Sequence, residues 1–289
     1  MLVAFLFIPV VAGNLVMESS FRRVPEITER KHTERKTYMI FDPCNTNKPG
    51  NRTISCSQIK MRERSSKDKK YTIYPLDKEV EVECDMESDG GGWTVIQSRT
   101  EYEIRNDNFE KEFQDYERGF TTQGGAFWIG LDNLHALTSF PNNKQALRIE
   151  LTRTKGQKPT VLLYHKFQVG SKAEKYKLTI DEFEGLQGYD ALSDHNGFVF
   201  TVKKSMTERP DRDECSGGSL SGGWWFKKCN KANLNGRKFT HASPTRALGI
   251  TWHIKNKDES YKYFYHRVEM KIRDDDFGFC AGALRSKPI

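Results

Sequence analysis

The chain has 289 residues, of which 36% are hydrophobic, 29% charged and 12% aromatic, and these proportions exclude a wholly disordered protein. Lysine and arginine outnumber aspartate and glutamate by 46 to 39, giving a net charge of +7. A positive charge of this size mainly favours solubility, although it also suits anionic glycans, membranes or nucleic acid as partners.

The N-terminal residues 1–13 form an apolar run that ends in small residues. Its length suits the core of a signal peptide and is shorter than the roughly 20 residues that span a bilayer. We therefore predict a secreted, extracellular protein without a membrane span. A truncated start or an uncleaved anchor are the alternatives, because no positive charge flanks the run beyond the amino terminus. Residues 14–43 are polar, without Gly-X-Y triplets or sustained heptads, which predicts a short exposed lead-in.

The cysteines and a glycosylation sequon agree with an oxidising compartment. None of the six cysteines lies in a CxxC pair, which argues against zinc-ribbon and thioredoxin sites: Cys44, Cys56, Cys84, Cys215, Cys229 and Cys280. Their even number after a secretory start predicts three disulfides. Asn51 begins the sequon Asn51-Arg52-Thr53, which predicts an N-glycan on an exposed loop.

Three patterns in the first half of the chain predict short elements. The stretch from Trp93 to Ser98 predicts a strand that is entered through three consecutive glycines. Four aromatic residues recur at the spacing of a helix face: Phe109, Phe113, Tyr116 and Phe120. Asp132, followed by two leucines at 134 and 137, predicts a second short helix with an acidic N-terminus.

The second half of the chain is rich in strand patterns. Residues 146–152, 160–169, 175–180 and 197–202 are alternating or rich in β-formers. Near the end, three apolar residues alternate with charged ones and predict a half-buried strand: Val268, Met270 and Ile272. Because helices precede strands without a βα repeat, we predict an α+β fold with an antiparallel sheet.

The helix periodicity and the strand periodicity both disappear over residues 203–243, where glycine, serine, asparagine, lysine and aspartate dominate. A loop-rich stretch of about 40 residues is unusual inside a compact domain and is usually functional or disordered. Two cysteines and the run Trp224-Trp225-Phe226 argue against disorder. We therefore predict the binding surface here.

A collinear series of motifs resembles the fibrinogen-related domains. The most specific motif is CDMESDGGGWTVIQ at 84–97. Further matches follow in the family's order: RGF at 118–120, FWIG at 127–130, LHALT at 134–138, HNG at 195–197, GWW at 223–225, NLNG at 233–236 and EMKIR at 269–273. The resemblance covers residues 54–274. The family includes fibrinogen chain ends, angiopoietins, ficolins and tachylectins, and this chain is most similar to the compact tachylectin-type lectins.

The resemblance implies a fibrinogen C-terminal-like domain at 44–274, followed by a tail at 275–289. The implied fold is a central twisted antiparallel sheet with short helices and a loop-rich binding subdomain. We expect three tryptophans to pack in its core: Trp93, Trp128 and Trp252. The implied disulfides are Cys56–Cys84 and Cys215–Cys229. Cys44 and Cys280 flank the domain, and they bridge either within one chain or between chains of a homo-oligomer.

The resemblance also implies an acetyl-binding pocket beside the second disulfide, and here the sequence departs from the family. Asn230 follows Cys229 where the family has histidine, and Arg246 replaces a tyrosine before the matching Ala247. The family's calcium-binding Asp-x-Asp falls at Lys204-Ser205-Met206, where a lysine repels a divalent cation. Three acidic residues that follow form either a displaced calcium site or a solvated acidic turn: Asp211, Asp213 and Glu214. Ca²⁺ is thus a doubtful cofactor, and no other is implied.

A basic cluster takes the place of the pocket's aromatic wall: Lys227, Lys228, Lys231, Arg237, Lys238 and Arg246. Cations beside aromatic rings suit anionic glycans or an acidic protein surface, whereas a solvated basic loop is the alternative. If the basic cluster binds such anionic partners, salt should weaken the binding steeply. The predicted ligand-binding residues are Trp224, Phe226, Lys228, Cys229, Asn230, Arg246 and Ala247.

The sequence favours binding over catalysis, because it contains no HExxH, GxSxG, Walker or dinucleotide motif and its histidines are scattered. We predict that His195 orders a turn. Dispersed basic residues in a secreted chain argue against a nucleic-acid partner. The predicted function is glycan recognition by a lectin-like pattern-recognition protein of innate immunity. The alternative is an adhesion or receptor-binding protein of the fibrinogen or angiopoietin type, without lectin activity.

Overall fold

The computed structural model describes residues 27–31, 34–38, 53–62, 67–103, 109–140, 144–205 and 207–277. The helices are α1 (Cys56–Arg62), α2 (Phe113–Arg118) and α3 (Leu131–Thr138). The strands are β1 (Ile27–Lys31), β2 (Glu34–Tyr38), β3 (Lys69–Ile73), β4 (Val80–Asp85), β5 (Trp93–Arg99), β6 (Phe120–Thr121), β7 (Phe127–Trp128), β8 (Gln145–Thr152), β9 (Thr160–Val169), β10 (Leu178–Glu184), β11 (Thr201–Lys203), β12 (Gly222–Trp224), β13 (Ala232–Asn233), β14 (Thr251–Trp252) and β15 (Arg267–Asp274). None of the helices in these ranges is long and apolar enough to cross a membrane.

Several predictions fall on the remaining residues. The signal peptide at 1–13, the glycosylation at Asn51 and the pairing of Cys44 with Cys280 lie outside the described residues. Part of the predicted lead-in forms a hairpin, in which β1 pairs antiparallel with β2. The predicted tail is described only as far as residue 277.

A nine-stranded antiparallel sheet carries the fold, and it confirms the predicted α+β class. Seven strands follow the order β10-β9-β8-β15-β5-β4-β3, while β6 and β7 extend the sheet beside β5. The last strand, β15, lies between β8 and β5, so the C-terminal motif completes the middle of the sheet. The predicted core tryptophans are almost wholly buried: Trp93, Trp128 and Trp252. The Cys56–Cys84 disulfide is confirmed and joins α1 to β4.

The strand predicted near the end of the chain is confirmed as β15, but its predicted half-burial is wrong, because the charged face of β15 is also covered. Lys271 is buried, and its Nζ lies 2.8 Å from Asp85, 3.0 Å from Glu269 and 3.2 Å from Glu150. Burial favours the neutral amine, but the three carboxylates outweigh it and raise the pKa of Lys271. Burial likewise opposes ionisation of Asp85, yet hydrogen bonds from Lys271 and Ser88 lower its pKa to about 2.

The aromatic series at 109–120 is helical only in α2. Glu112 and Asp115 form a capping box at its start, and Gly119, with φ of 89°, ends it. Phe109 and Phe120 lie outside the helix and still pack together, with ring centroids 5.0 Å apart. The second predicted helix is confirmed as α3, with Asp132 in its first turn.

The predicted strands at 146–152 and 160–169 are confirmed as β8 and β9. The stretch at 175–180 starts late, at Leu178, because Lys175 and Tyr176 have left-handed backbone angles that a strand excludes. The stretch at 197–202 contributes only the start of the three-residue strand β11. The sequence pattern therefore located these strands, but it did not give the first and last residues of β10 and β11.

Candidate ligand-binding region

Residues 203–253, which we call the loop region, contain little regular structure, and the sequence predicts this for residues 203–243. Two small two-stranded sheets brace this region. In one, β11 pairs with β12; in the other, β13 pairs with β14. These ladders are short, so the other backbone groups of the region are satisfied by backbone hydrogen bonds of turns and by side chains, because buried N–H and C=O groups are nearly always hydrogen-bonded.

Polar side chains from β5 attach the loop region to the main sheet. Arg99 and Glu103 form an ion pair of 2.9 Å in which both side chains are fully buried. The same Arg99 donates to the carbonyls of Leu234 at 3.0 Å and Gly236 at 2.7 Å. Gln97, two residues earlier, donates to the Leu234 carbonyl at 2.9 Å. One face of a central strand therefore positions the segment that follows β13.

A buried carboxylate ties the disulfide loop together. The implied Cys215–Cys229 bond is confirmed. Beneath it, one Asp213 oxygen accepts a hydrogen bond of 2.8 Å from the backbone of Asn230. The other accepts from the backbone and the hydroxyl of Ser216, at 3.1 and 2.6 Å. Asp213 thus joins two residues that each follow a cysteine.

The ring of His195 provides a second internal connection. Its Nδ1 lies 2.7 Å from the Trp225 carbonyl, and its Nε2 accepts from the amides of Lys231 at 3.2 Å and Ala232 at 3.0 Å. These partners require a neutral ring with the proton on Nδ1. Burial lowers the pKa of His195 to about 4, which agrees with that state. The prediction that His195 orders a turn rather than acting as a base agrees with these contacts. We call Asp213 and His195 the two polar hubs.

The three candidate metal ligands do not converge, so the residues do not fit a calcium site. Both carboxylate oxygens of Asp213 accept hydrogen bonds from the protein, as described above. Asp211 accepts from the backbone of Lys204, and Glu214 pairs with Lys228 at 3.5 Å. In the part of the chain that the structure describes, no group of three or more histidine, cysteine or acidic side chains could hold a metal ion. The contacts of these three residues favour the alternative of an acidic turn over the displaced acidic site.

The predicted ligand-binding residues divide into buried and accessible ones. Trp224, Phe226, Asn230 and Ala247 are buried, so the predicted aromatic faces do not meet solvent. Cys229 and Arg246 are half-buried, and only Lys228 is exposed. The disulfide loop does approach Arg246, because a Cβ on Gly218 would lie only 2.3 Å from the Arg246 carbonyl oxygen.

Every member of the predicted basic cluster already has a partner. Lys227 and Lys231 share Asp194, and Arg246 pairs with Asp258. Arg237 is largely buried against Glu110, with Nε 2.6 Å from the carboxylate. Lys238 is buried and donates to the His266 carbonyl at 2.6 Å, and burial lowers its pKa to about 8. The cluster is therefore not a uniform positive patch, because carboxylates neutralise most of it.

Sequence reasoning missed the ring on which Arg246 rests. Its guanidinium lies 3.7 Å from the Tyr261 ring centroid, and His253 stacks on the same ring at 4.6 Å. Burial and the nearby Lys231 and Arg246 lower the pKa of His253. No sequence signal links residues 246 and 261, because their contact depends on the turn between them.

The comparisons with known proteins match the order of motifs and the architecture described above. Residues 53–275 match the family described as fibrinogen beta and gamma chains, C-terminal globular domain. The chain belongs to this family. Its relative Ryncolin-4 of Cerberus rynchops is 38% identical over 211 residues, which are 70% of this chain. The chain spans only 56% of the length of that relative.

Solved members of the fibrinogen family share the fold. The fibrinogen-like globe domains of human ANGPTL6 and ANGPTL2 superpose with a TM-score of 0.63 each, at 28% and 25% identity. They cover 79% and 77% of this chain, and nearly all of their own chains, 98% and 99%. A lamprey fibrin D-dimer, solved with the peptide Gly-His-Arg-Pro-amide, has a TM-score of 0.57 at 24% identity over 75% of this chain and 72% of its own. At that identity the likeness concerns the fold alone.

Proposed function

We propose that this protein is a secreted, lectin-like recognition protein of innate immunity, which binds glycans through the loop region and catalyses no reaction. The observation that carries the proposal is the pair of polar hubs beneath the Cys215–Cys229 loop. An irregular segment that is fixed by internal hydrogen bonds presents its exposed groups in one arrangement. Binding then costs little ordering entropy, which is the physical requirement for a recognition surface.

The chemistry of the hubs also favours binding over catalysis. A general base needs a free lone pair that can reach a substrate. The Asp213 carboxylate accepts hydrogen bonds from the protein on both oxygens, and both nitrogens of the His195 ring are engaged. The family membership and the similarity to Ryncolin-4 support a lectin-like role over an enzymatic one.

The ligand contacts that we propose differ from an aromatic cup for an acetyl group. Because Trp224 is buried and Asn230 hydrogen-bonds within the loop, the accessible groups are polar and surround Lys228 and Arg246. Acidic glycans or acidic extracellular surfaces would have to displace Glu214 or Asp258 from these cations. We therefore expect a moderate salt dependence in place of the steep one that an unpaired basic patch would give.

A glycan array tests the proposal directly. The full chain should bind a defined set of glycans equally well with calcium and with a chelator. The variant Asp213→Asn removes one acceptor of the hub, and we expect its affinity to fall about tenfold or more, since about 1.4 kcal/mol corresponds to that factor. The exposed Glu79, which directly precedes β4, offers a matched control as Glu79→Gln, which should bind normally. Calcium-dependent binding, or equal binding by both variants, would contradict the proposal.

The second candidate function is an extracellular adhesion or receptor-binding protein without lectin activity. The similarity to the globe domains of human ANGPTL6 and ANGPTL2, together with the lack of an exposed aromatic face at Trp224, favours it. Failure of the full chain to bind any glycan on the array, while Asp213→Asn still reduces attachment to cells, would support this function over the first.

A further inference from the structure

The two disulfides of the described residues lie in opposite environments. Cys56 is 0% exposed and Cys84 is 3% exposed, and both belong to the hydrophobic core. In contrast, Cys215 is exposed and Cys229 is half-buried. Because thiol–disulfide exchange requires direct attack on a sulfur atom, access alone separates the two bonds.

The surroundings of Cys215 leave room for an attacking thiol. All residues from Glu214 to Gly217 are exposed. The side chains that flank the bond along the chain, Lys228 and Glu214, are 75% and 66% exposed and meet each other at 3.5 Å. Because Cys215 is exposed and Cys229 only half-buried, the sulfur of Cys215 is the more accessible of the two to an attacking thiolate.

Asp213 links the two ends of the disulfide loop by hydrogen bonds that do not involve the sulfur atoms. Its two oxygens hold Ser216 and Asn230, the residues that directly follow Cys215 and Cys229. These hydrogen bonds do not depend on the disulfide. After reduction they keep the two ends of the loop close, so the sulfur atoms remain near enough to form the bond again.

We propose that Cys215–Cys229 is a thiol–disulfide exchange site whose reaction partner is a dithiol reductant, either small or carried by a protein. One thiolate of the reductant bonds to Sγ of Cys215, the S–S bond breaks, and its electron pair leaves on Sγ of Cys229. The second thiolate of the reductant then displaces Cys215 and forms the reductant's own disulfide. The protein gains two electrons, and the two thiol protons end on the cysteines or in water.

The consequence for binding rests on the proposed function. Reduction leaves the segment between the two cysteines held at its ends by Asp213 but no longer crosslinked. Its outer groups, including Lys228, then sample more arrangements, so ligand binding weakens while the sheet remains folded. The site would thereby connect the redox state of the surroundings to recognition.

Differential alkylation of the full chain tests the site without any ligand. The protein is treated with dithiothreitol in native buffer, the free thiols are blocked with iodoacetamide at intervals, and mass spectrometry measures each cysteine. We expect Cys215 and Cys229 to be labelled at least about tenfold faster than Cys56 and Cys84, because exchange rate follows access. Equal rates, or labelling of Cys215 only when the sheet unfolds, would overturn the proposal.

Two further measurements separate this inference from the proposed function. Removal of dithiothreitol and addition of oxidised glutathione should restore the bond, and Asp213→Asn should slow this step by about tenfold because the hub holds the ends together. Recovery at the same rate in this variant would contradict the role of Asp213. Glycan binding by the alkylated protein is scored afterwards, so an exchange site without glycan binding remains detectable and would count against the proposed function alone.

Discussion

The main sheet and the loop region both bury apolar side chains, but different interactions hold the two regions. In the sheet, long antiparallel ladders satisfy the hydrogen bonds of the backbone, and apolar side chains pack on the faces of the sheet. In the loop region the ladders are two or three residues long, and the side chains of Asp213, His195 and Arg99 satisfy backbone groups instead. Irregular structure therefore depends on a few polar residues, whereas the sheet spreads its stability over many.

The largest test of this difference is Arg99→Met, at the junction of the two regions. The variant leaves the buried side chain of Glu103 without its partner and the Gly236 carbonyl without its Arg99 donor, while the Leu234 carbonyl keeps only the hydrogen bond from Gln97. We expect the free energy of unfolding to fall by about 3–5 kcal/mol, the usual cost of breaking a buried pair. Chemical denaturation, followed by tryptophan fluorescence, measures it.

The matched control is Lys70→Met, in the exposed pair between Lys70 and Glu81. No measurable change is expected, because solvent screens an exposed pair. A similar effect of both variants would remove the distinction between the junction and the surface of the sheet.

Acid should weaken the loop region through His195. Its pKa is about 4 in the folded protein against an ordinary value of 6.5, so between these values the unfolded chain binds a proton that the folded chain does not. The neutral His195 ring contributes fully to the free energy of unfolding above pH 6.5. This contribution decreases by about 3 kcal/mol as the pH falls towards 4. Unfolding measured across this range should show a steeper loss in the wild type than in His195→Gln.

The variant His241→Gln serves as the control for His195, because this ring is exposed. It should retain the pH dependence of the wild type. If His195→Gln retained it as well, the buried ring would not be the group that responds to acid.

The smallest effects should come from two adjacent glycines of the disulfide loop. A Cβ in Gly218→Ala would lie 2.3 Å from the Arg246 carbonyl oxygen, so we expect a loss of about 1–3 kcal/mol and weaker ligand binding. Gly217→Ala meets no atom within 4 Å and costs about 1 kcal/mol for its φ of 63°. Thermal unfolding and array binding of both variants would show whether the close approach to Arg246 matters more than backbone conformation.

Sequence patterns located most elements of the sheet because apolar alternation directly records which face is buried. The long strands β8 and β9 were predicted for this reason. The same argument failed for β15, where alternation predicted solvent on the charged face. Lys271 is instead enclosed by carboxylates from neighbouring strands, and no pattern along one strand reveals what its neighbours supply.

Prediction of the site was less successful. The loss of helix and strand periodicity located the loop region, and the family resemblance implied its disulfide, which the structure confirms. Composition suggested a basic aromatic surface, but Trp224 is buried and the cations are paired. The hubs were missed as a pair, since Asp213 resembled a metal ligand and only its contacts identify it as a hydrogen-bond acceptor.

The amino-acid sequence by itself determined the family, the α+β class, the antiparallel sheet and the position of the irregular region, because periodicity and motif order are local properties. Only the tertiary structure decided which polar side chains are available to a ligand. Exposure and pairing depend on residues that are distant in sequence, as Lys231 with Asp194 and Arg246 with Tyr261 illustrate. A buried ring is not available for recognition, and a paired cation must first exchange its internal partner for the ligand.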